Sequence, residues 1–147
     1  MIGRFETFTL AISEISQCWN KIAEEEMKAY ELKGAYAIYL VALYRNSDGI
    51  TAAELCSLCN KDKAEISRAV SVMEKKGLIK KEGAQYRAKI MLTEDGKKLS
   101  SRVRERVIIA VEAGGFGLSD EERDVFYHSL EVISSNLKKI SKDGLPK

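Results

Sequence analysis

Between Lys63 and Lys75 the sequence KAEISRAVSVMEK sets hydroxyls and an arginine at a spacing suited to meeting a polyanion or the edge of a base. A helix turns by about 100° per residue, which puts Ile66, Ala69, Val70 and Met73 on one side. Ala64, Ser67, Arg68, Ser71 and Lys75 fall on the other, with Lys63 at the start. Small residues permit close approach, hydroxyls bond bases or phosphates, and an arginine can take guanine through two hydrogen bonds. Further on, Lys81, Arg87 and Lys89, with Gln85 among them, prolong the cationic character. Taken alone, such a face would serve equally as the solvated side of an ordinary amphipathic helix.

A second chemistry is written in Cys56-Ser57-Leu58-Cys59. Two thiols at this spacing can form a redox switch or half of a zinc site. No second Cys-x-x-Cys follows, Cys18 stands apart, and the only histidine, His128, is far along the chain, so no metal is expected. The strand that a thioredoxin-type motif needs before it is also missing. Cys56 and Cys59 are read either as small apolar packing residues or as a thiol sensor of oxidation. With one histidine, no glycine-rich phosphate loop and no nucleophile–base pairing, the chain offers no catalytic residues. No enzyme activity and no cofactor are expected.

The elements needed to hold the 63–75 face are legible around it. Asp62 is an N-cap with Glu65 at the capping-box position, and Lys75, Lys76 and Gly77 set cations and a glycine at the helix end. Thr51 and Glu54 cap a shorter helix before it, with Leu55 and Leu58 expected to point inward and Asn60-Lys61 in the turn. After Gly77, Leu78 to Lys81 and Tyr86 to Leu92 are predicted strands joined by Glu82-Gly83-Ala84-Gln85. Cations alternate with apolar residues along the second strand, so one face is basic and the other apolar. Helix, turn, helix and hairpin in this order predict a winged helix-turn-helix.

The flanks read as helices too. Phe5, Phe8, Ile12, Ile15, Trp19 and Ile22 alternate at three and four, a zipper-like seam on one long helix. A mostly apolar helix follows at about 33–45. Thr93 caps a helix with Leu99, Val103, Val107 and Ala110 inward, broken at Gly114, Gly115 and Gly117. Ser119 with Glu122 opens a last helix whose Phe126, Leu130, Ile133, Leu137 and Ile140 repeat the seam. Two seams at opposite ends predict that the terminal helices pack together and against a second copy.

Charge agrees with the placement of the reader. Residues 61 to 98 hold 11 Lys/Arg and 6 Asp/Glu, a local +5 within a chain whose net charge is only +2. At 147 residues, 45% hydrophobic and 31% charged, the composition is that of a globular domain with a real core. No apolar run reaches the roughly 20 residues of a membrane span, and MIGRFETF lacks a signal-peptide pattern, so a cytoplasmic location is expected.

The segments GITAAEL (49–55), DKAEISRAVSVMEKKGLI (62–79) and LTEDG (92–96) resemble, in order and spacing, the multiple-antibiotic-resistance regulator (MarR) family of transcription factors. The resemblance extends in element order over nearly the whole chain: mainly α with a small β wing, α-α-α-α-β-β-α-α. It implies a homodimer, with 1–32 an N-terminal dimerisation helix, 33–98 the winged DNA-binding domain and 99–147 the C-terminal dimerisation helices. It also implies double-stranded DNA with a pseudo-palindromic operator as partner, and repression as the expected mode of action. A cleft between dimerisation helices and wing is implied as well, accepting a small aromatic effector, with Trp19, Tyr30, Tyr36, Tyr39 and Arg106 as candidate lining. One departure stands out. Where family members carry an acidic residue and arginines before the second wing strand, this chain has Gly83-Ala84-Gln85-Tyr86-Arg87, leaving the wing-tip contact to either Gln85 or Arg87. A winged module that binds protein instead of DNA is the remaining alternative, and a steep dependence of binding on salt would separate the two.

Overall fold

The short helix that follows Thr51 forms because both of its start signals are satisfied. Thr51 Oγ1 accepts from the Glu54 amide (3.2 Å) and the Glu54 carboxylate accepts from the Thr51 amide (2.9 Å), a complete capping box. In this computed structural model, which describes residues 2–84 and 87–147, the elements are α1 (Ile2–Met27), α2 (Tyr36–Arg45), α3 (Ala52–Cys59), α4 (Lys63–Lys75), β1 (Ile79–Glu82), β2 (Lys89–Leu92), α5 (Glu94–Gly114) and α6 (Asp120–Asp143). A single 3-10 turn, Lys28–Tyr30, follows α1. They form two compact units, Met1–Val107 and Ile108–Lys147.

In the first unit the core is built from every element. Tyr39, Leu40 and Leu43 of α2, Leu55 of α3, and Ile66, Ala69, Val70 and Met73 of α4 are buried together. Ile79, Ile90 and Leu92 of the strands and Leu99 and Val103 of α5 close it from the other side. Met27 and Leu32 tie the end of α1 into the same cluster. Helix α2 begins three residues later than the apolar run, because Gly34 lies against the α1 backbone. A Cβ at Gly34 would stand 2.6 Å from the Glu24 nitrogen, so the α1–α2 junction is set by a backbone contact only glycine permits.

The two strands are antiparallel with Ile79 opposite Leu92 and Glu82 opposite Lys89. This differs from the expected hairpin. Glu82 is the last residue of β1 and Lys89 the first of β2, one residue later and three residues later than expected; Arg87 precedes the strand, its amide bonded to the Ala84 carbonyl at 2.9 Å. Gln85 and Tyr86 lie outside the described residues. A third piece of extended chain was hidden from pattern reading. Ile50 pairs reciprocally with Ile90, donating at 3.2 Å and accepting at 2.7 Å, and is a single residue too short for any alternation to register.

The second unit carries α6, opened by a complete capping box between Ser119 and Glu122. Arg123 bonds Glu112 at 2.8 Å and the Gly115 carbonyl at 3.0 Å, bracing the turn before α6. None of the α6 residues is buried: Phe126, Ile133 and Leu137 stand exposed and Leu130 and Ile140 half-buried. The α1 seam is likewise open, with Phe5, Phe8, Ile12, Ile15, Trp19 and Ile22 all exposed. No helix among the described residues is long and apolar enough to cross a membrane.

Candidate nucleic-acid interface

Helix α4 is fixed at both ends and along one side. At its start Asp62 accepts from the Glu65 amide at 2.8 Å; the reciprocal bond from Glu65 expected of a full capping box is not formed, so only half of the motif is realised. At its end Gly77 takes a left-handed φ of 72°, which lets the Gly77 amide reach the Glu74 carbonyl (3.0 Å) and the Leu78 amide reach Met73 (2.9 Å). Those two bonds satisfy carbonyls that a helix end leaves open. The inner side, Ile66, Ala69, Val70 and Met73, is buried in the core.

What this leaves outward is Lys63, Ala64, Ser67, Arg68, Ser71 and Lys75, all exposed. Among the described residues no side-chain hydrogen bond or ion pair occupies Ser67, Arg68 or Ser71, nor the ammonium groups of Lys63 and Lys75. Among the described residues these donors have no protein partner to give up on meeting a ligand, only water. Neighbouring cations are differently placed: Lys76 faces Glu31 at 3.9 Å and Lys80 faces Glu82 at 3.4 Å. On the wing, Lys81, Arg87 and Lys89 are exposed. Helix and wing together make a cationic, hydroxyl-bearing surface able to bond phosphates and base edges.

The wing is joined to α4 through a side chain that sequence reading treated only as a cap. Thr93 Oγ1 donates to the Gly77 carbonyl (2.6 Å) and accepts from the Gly96 amide (3.1 Å), while the Thr93 amide donates to Leu78 (3.0 Å). The signal for it was present in LTEDG, where a threonine and a glycine stand three apart, but its partner lies 16 residues upstream.

The other sequence-predicted residues are distributed as follows. Leu58, expected inward, is 59% exposed. It lines an open groove of about 630 Å³ with Asn46, Ile50, Ala53, Glu54 and Ser57. Cys56 and Cys59 are half-buried, free thiols packed against the core. Burial pushes the Cys59 thiol up, and Cys56 adds to it, which lowers its thiolate fraction. Among the described residues no three His, Cys, Asp or Glu side chains gather as metal ligands would.

The five effector candidates do not share one environment. Tyr36 and Tyr39 are buried, their rings 5.7 Å apart, and burial raises the Tyr39 hydroxyl pKa, with Glu65 contributing. Tyr30 is half-buried and Trp19 exposed. Arg106 makes a two-pronged pair with Glu26, at 2.8 and 2.9 Å, holding the Glu26 carboxyl below its usual range. A further contact escaped the sequence entirely: the Arg104 guanidinium stands 4.4 Å over the Tyr44 ring.

Comparison with known proteins adds to this geometry. The MarR family model matches residues 30–88. No curated protein sequence matches the chain. Among solved structures, a protein described as a MarR family transcriptional regulator from Listeria monocytogenes, in complex with 26mer DNA, is similar at 23% identity and a TM-score of 0.84, over 95% of this chain and 96% of that one. A MarR transcriptional regulator from Methanosarcina mazei is similar at 24% identity and TM-score 0.81, over 92% of each chain. The MepR–DNA complex of S. aureus is similar at 21% identity and TM-score 0.80, over 88% of this chain and 96% of that one. Residues 30–88 thus match the MarR family model, and the chain shares over nearly its whole length the winged-helix fold of these solved structures.

Proposed function

We propose that the protein is a homodimeric, sequence-specific DNA-binding transcriptional regulator that represses by occupying a pseudo-palindromic operator in the cytoplasm. The observation that carries the reading is the outer face of α4, where Ser67, Arg68 and Ser71 are exposed and, among the described residues, unpaired. A helix with this face fits the major groove, Arg68 taking a guanine edge and Ser67 and Ser71 bonding bases or phosphates, with Lys63, Ala64 and Lys75 alongside. Lys81, Arg87 and Lys89 then meet the flanking backbone. Two relatives of the same fold were solved on DNA, which supports the same use here.

The exposed seams of α1 and α6 support a second copy as the dimer partner, since an apolar row of that length is unfavourable in water. Repression follows from occlusion: a dimer lying over a promoter excludes polymerase without further contacts. A regulating aromatic anion would meet exposed Trp19 and half-buried Tyr30, and would take Arg106 from Glu26.

The test is selection of bound sequences from random duplex DNA. An inverted repeat with half-sites about one helical turn apart is expected, with affinity falling log-linearly as salt rises. Recovery of no enriched sequence, with binding indifferent to salt, would sink the DNA reading and leave a protein-binding module.

A further inference from the structure

Both surfaces assigned to DNA spring from one joint. The recognition helix α4 ends at Lys75, β1 begins at Ile79, and β2 ends at Leu92, one residue before α5. Ile79 and Leu92 are opposite one another at the base of the wing. Thr93 sits at that base and bonds both residues that close α4, through its hydroxyl to Gly77 and through its amide to Leu78. The same hydroxyl receives the Gly96 amide, so its one proton and its acceptor capacity are committed in opposite directions. Gly96 completes the joint. It is buried, and a Cβ there would fall 1.9 Å from the Leu78 carbonyl oxygen, so the first turn of α5 rests directly on the chain leaving α4.

We infer that Thr93 is the positioning residue for operator discrimination, holding α4 and the wing base at a fixed angle to α5; this rests on the DNA reading above. The geometry magnifies small errors. Helix α4 has 13 residues, roughly 20 Å at about 1.5 Å per residue, so a tilt of about 5° at its C-terminal end moves the far end by about 2 Å. Base contacts through paired hydrogen bonds tolerate only about 0.5 Å. Phosphate contacts from flexible lysines tolerate far more. Loosening the joint therefore removes discrimination between sequences and spares general attraction to DNA. Loss of the hydroxyl leaves the carbonyl of exposed Gly77 open to water and deprives the Gly96 amide of its cap acceptor, while the apolar core is untouched.

The experiment compares the full chain with T93V, which keeps the shape and removes the hydroxyl, and T93S, which keeps the hydroxyl and removes the methyl. Affinities for the selected operator and for a scrambled duplex are measured well below the melting temperature of each protein. T93V is expected to lose at least about tenfold in operator affinity, the size of one lost paired base contact, with scrambled-duplex affinity within about twofold of the wild type. T93S is expected to restore the ratio. A T93V that discriminates as the wild type does, or that loses both affinities in parallel, overturns the positioning role. Should T93V not fold, T93S decides: a folded T93S that has lost discrimination also overturns it. A wild-type chain that selects no sequence overturns the DNA reading itself, and that outcome is recognisable without either variant.

Discussion

Helices α4 and α6 are both amphipathic, and the chain treats them in opposite ways. The apolar side of α4 is wholly enclosed, with Ile66 and Met73 essentially inaccessible, and only its polar side remains for other molecules. The apolar side of α6 has no buried residue at all; Ile133 is 37% and Leu137 49% exposed. One helix is finished by its own unit. The other is unfinished, and its open face calls for a further surface.

The contrast can be broken by truncating equivalent apolar residues. Ile66→Ala is expected to cost about 2–5 kcal/mol of stability in a denaturant titration, since it opens a cavity in a packed core. Ile133→Ala in α6 should barely move the stability of dilute, single chains but weaken self-association, read as a shift to smaller species in sedimentation. Equal destabilisation by both would mean that α6 is already covered. On the polar side, Arg68→Ala is expected to weaken operator binding by about 1–3 kcal/mol and relax the preference for one base, whereas Lys89→Ala should weaken all duplexes alike and lower the salt slope by about 1. A gel-shift titration in which Arg68→Ala leaves operator affinity unchanged would displace α4 from the groove.

The smallest effect concerns the Glu26–Arg106 pair. Pairing with Arg106 lowers the Glu26 carboxyl pKa below its ordinary value of 4.5. A depressed carboxyl stabilises the folded state above that value and loses its contribution as pH falls through the folded pKa. Both side chains are solvent-exposed, so the effect is slight. Replacing Glu26 by Gln should make stability slightly less dependent on pH below 4.5, seen by comparing acid unfolding curves of the two proteins.

What was legible in the sequence was local. The Thr51–Glu54 and Ser119–Glu122 boxes, the inner stripe of α4 and the turn at Gly77 each follow from residues within one or two helical turns. Misreadings came where a neighbour distant in the chain decides the outcome. Leu58 has the right angle to be inward, but periodicity fixes direction and says nothing about whether anything stands there. The depth at which Tyr36 and Tyr39 are buried likewise depends on neighbours that periodicity does not name. The carboxylate that Arg106 meets lies 80 residues away, beyond the reach of any local pattern. The hairpin slipped because β1 starts after Leu78, whose amide and carbonyl are taken by Met73 and Thr93.

The reciprocal pair between Ile50 and Ile90 carries a consequence for motion. It closes a loop that contains α3, α4 and β1, so two backbone hydrogen bonds act as a clasp around α4. Both side chains are buried, so water reaches these amides only when the clasp parts. The amide hydrogens of Ile50 and Ile90 should accordingly exchange in step with one another and with the α4 interior, making the winged segment a single breathing unit instead of a helix that frays alone.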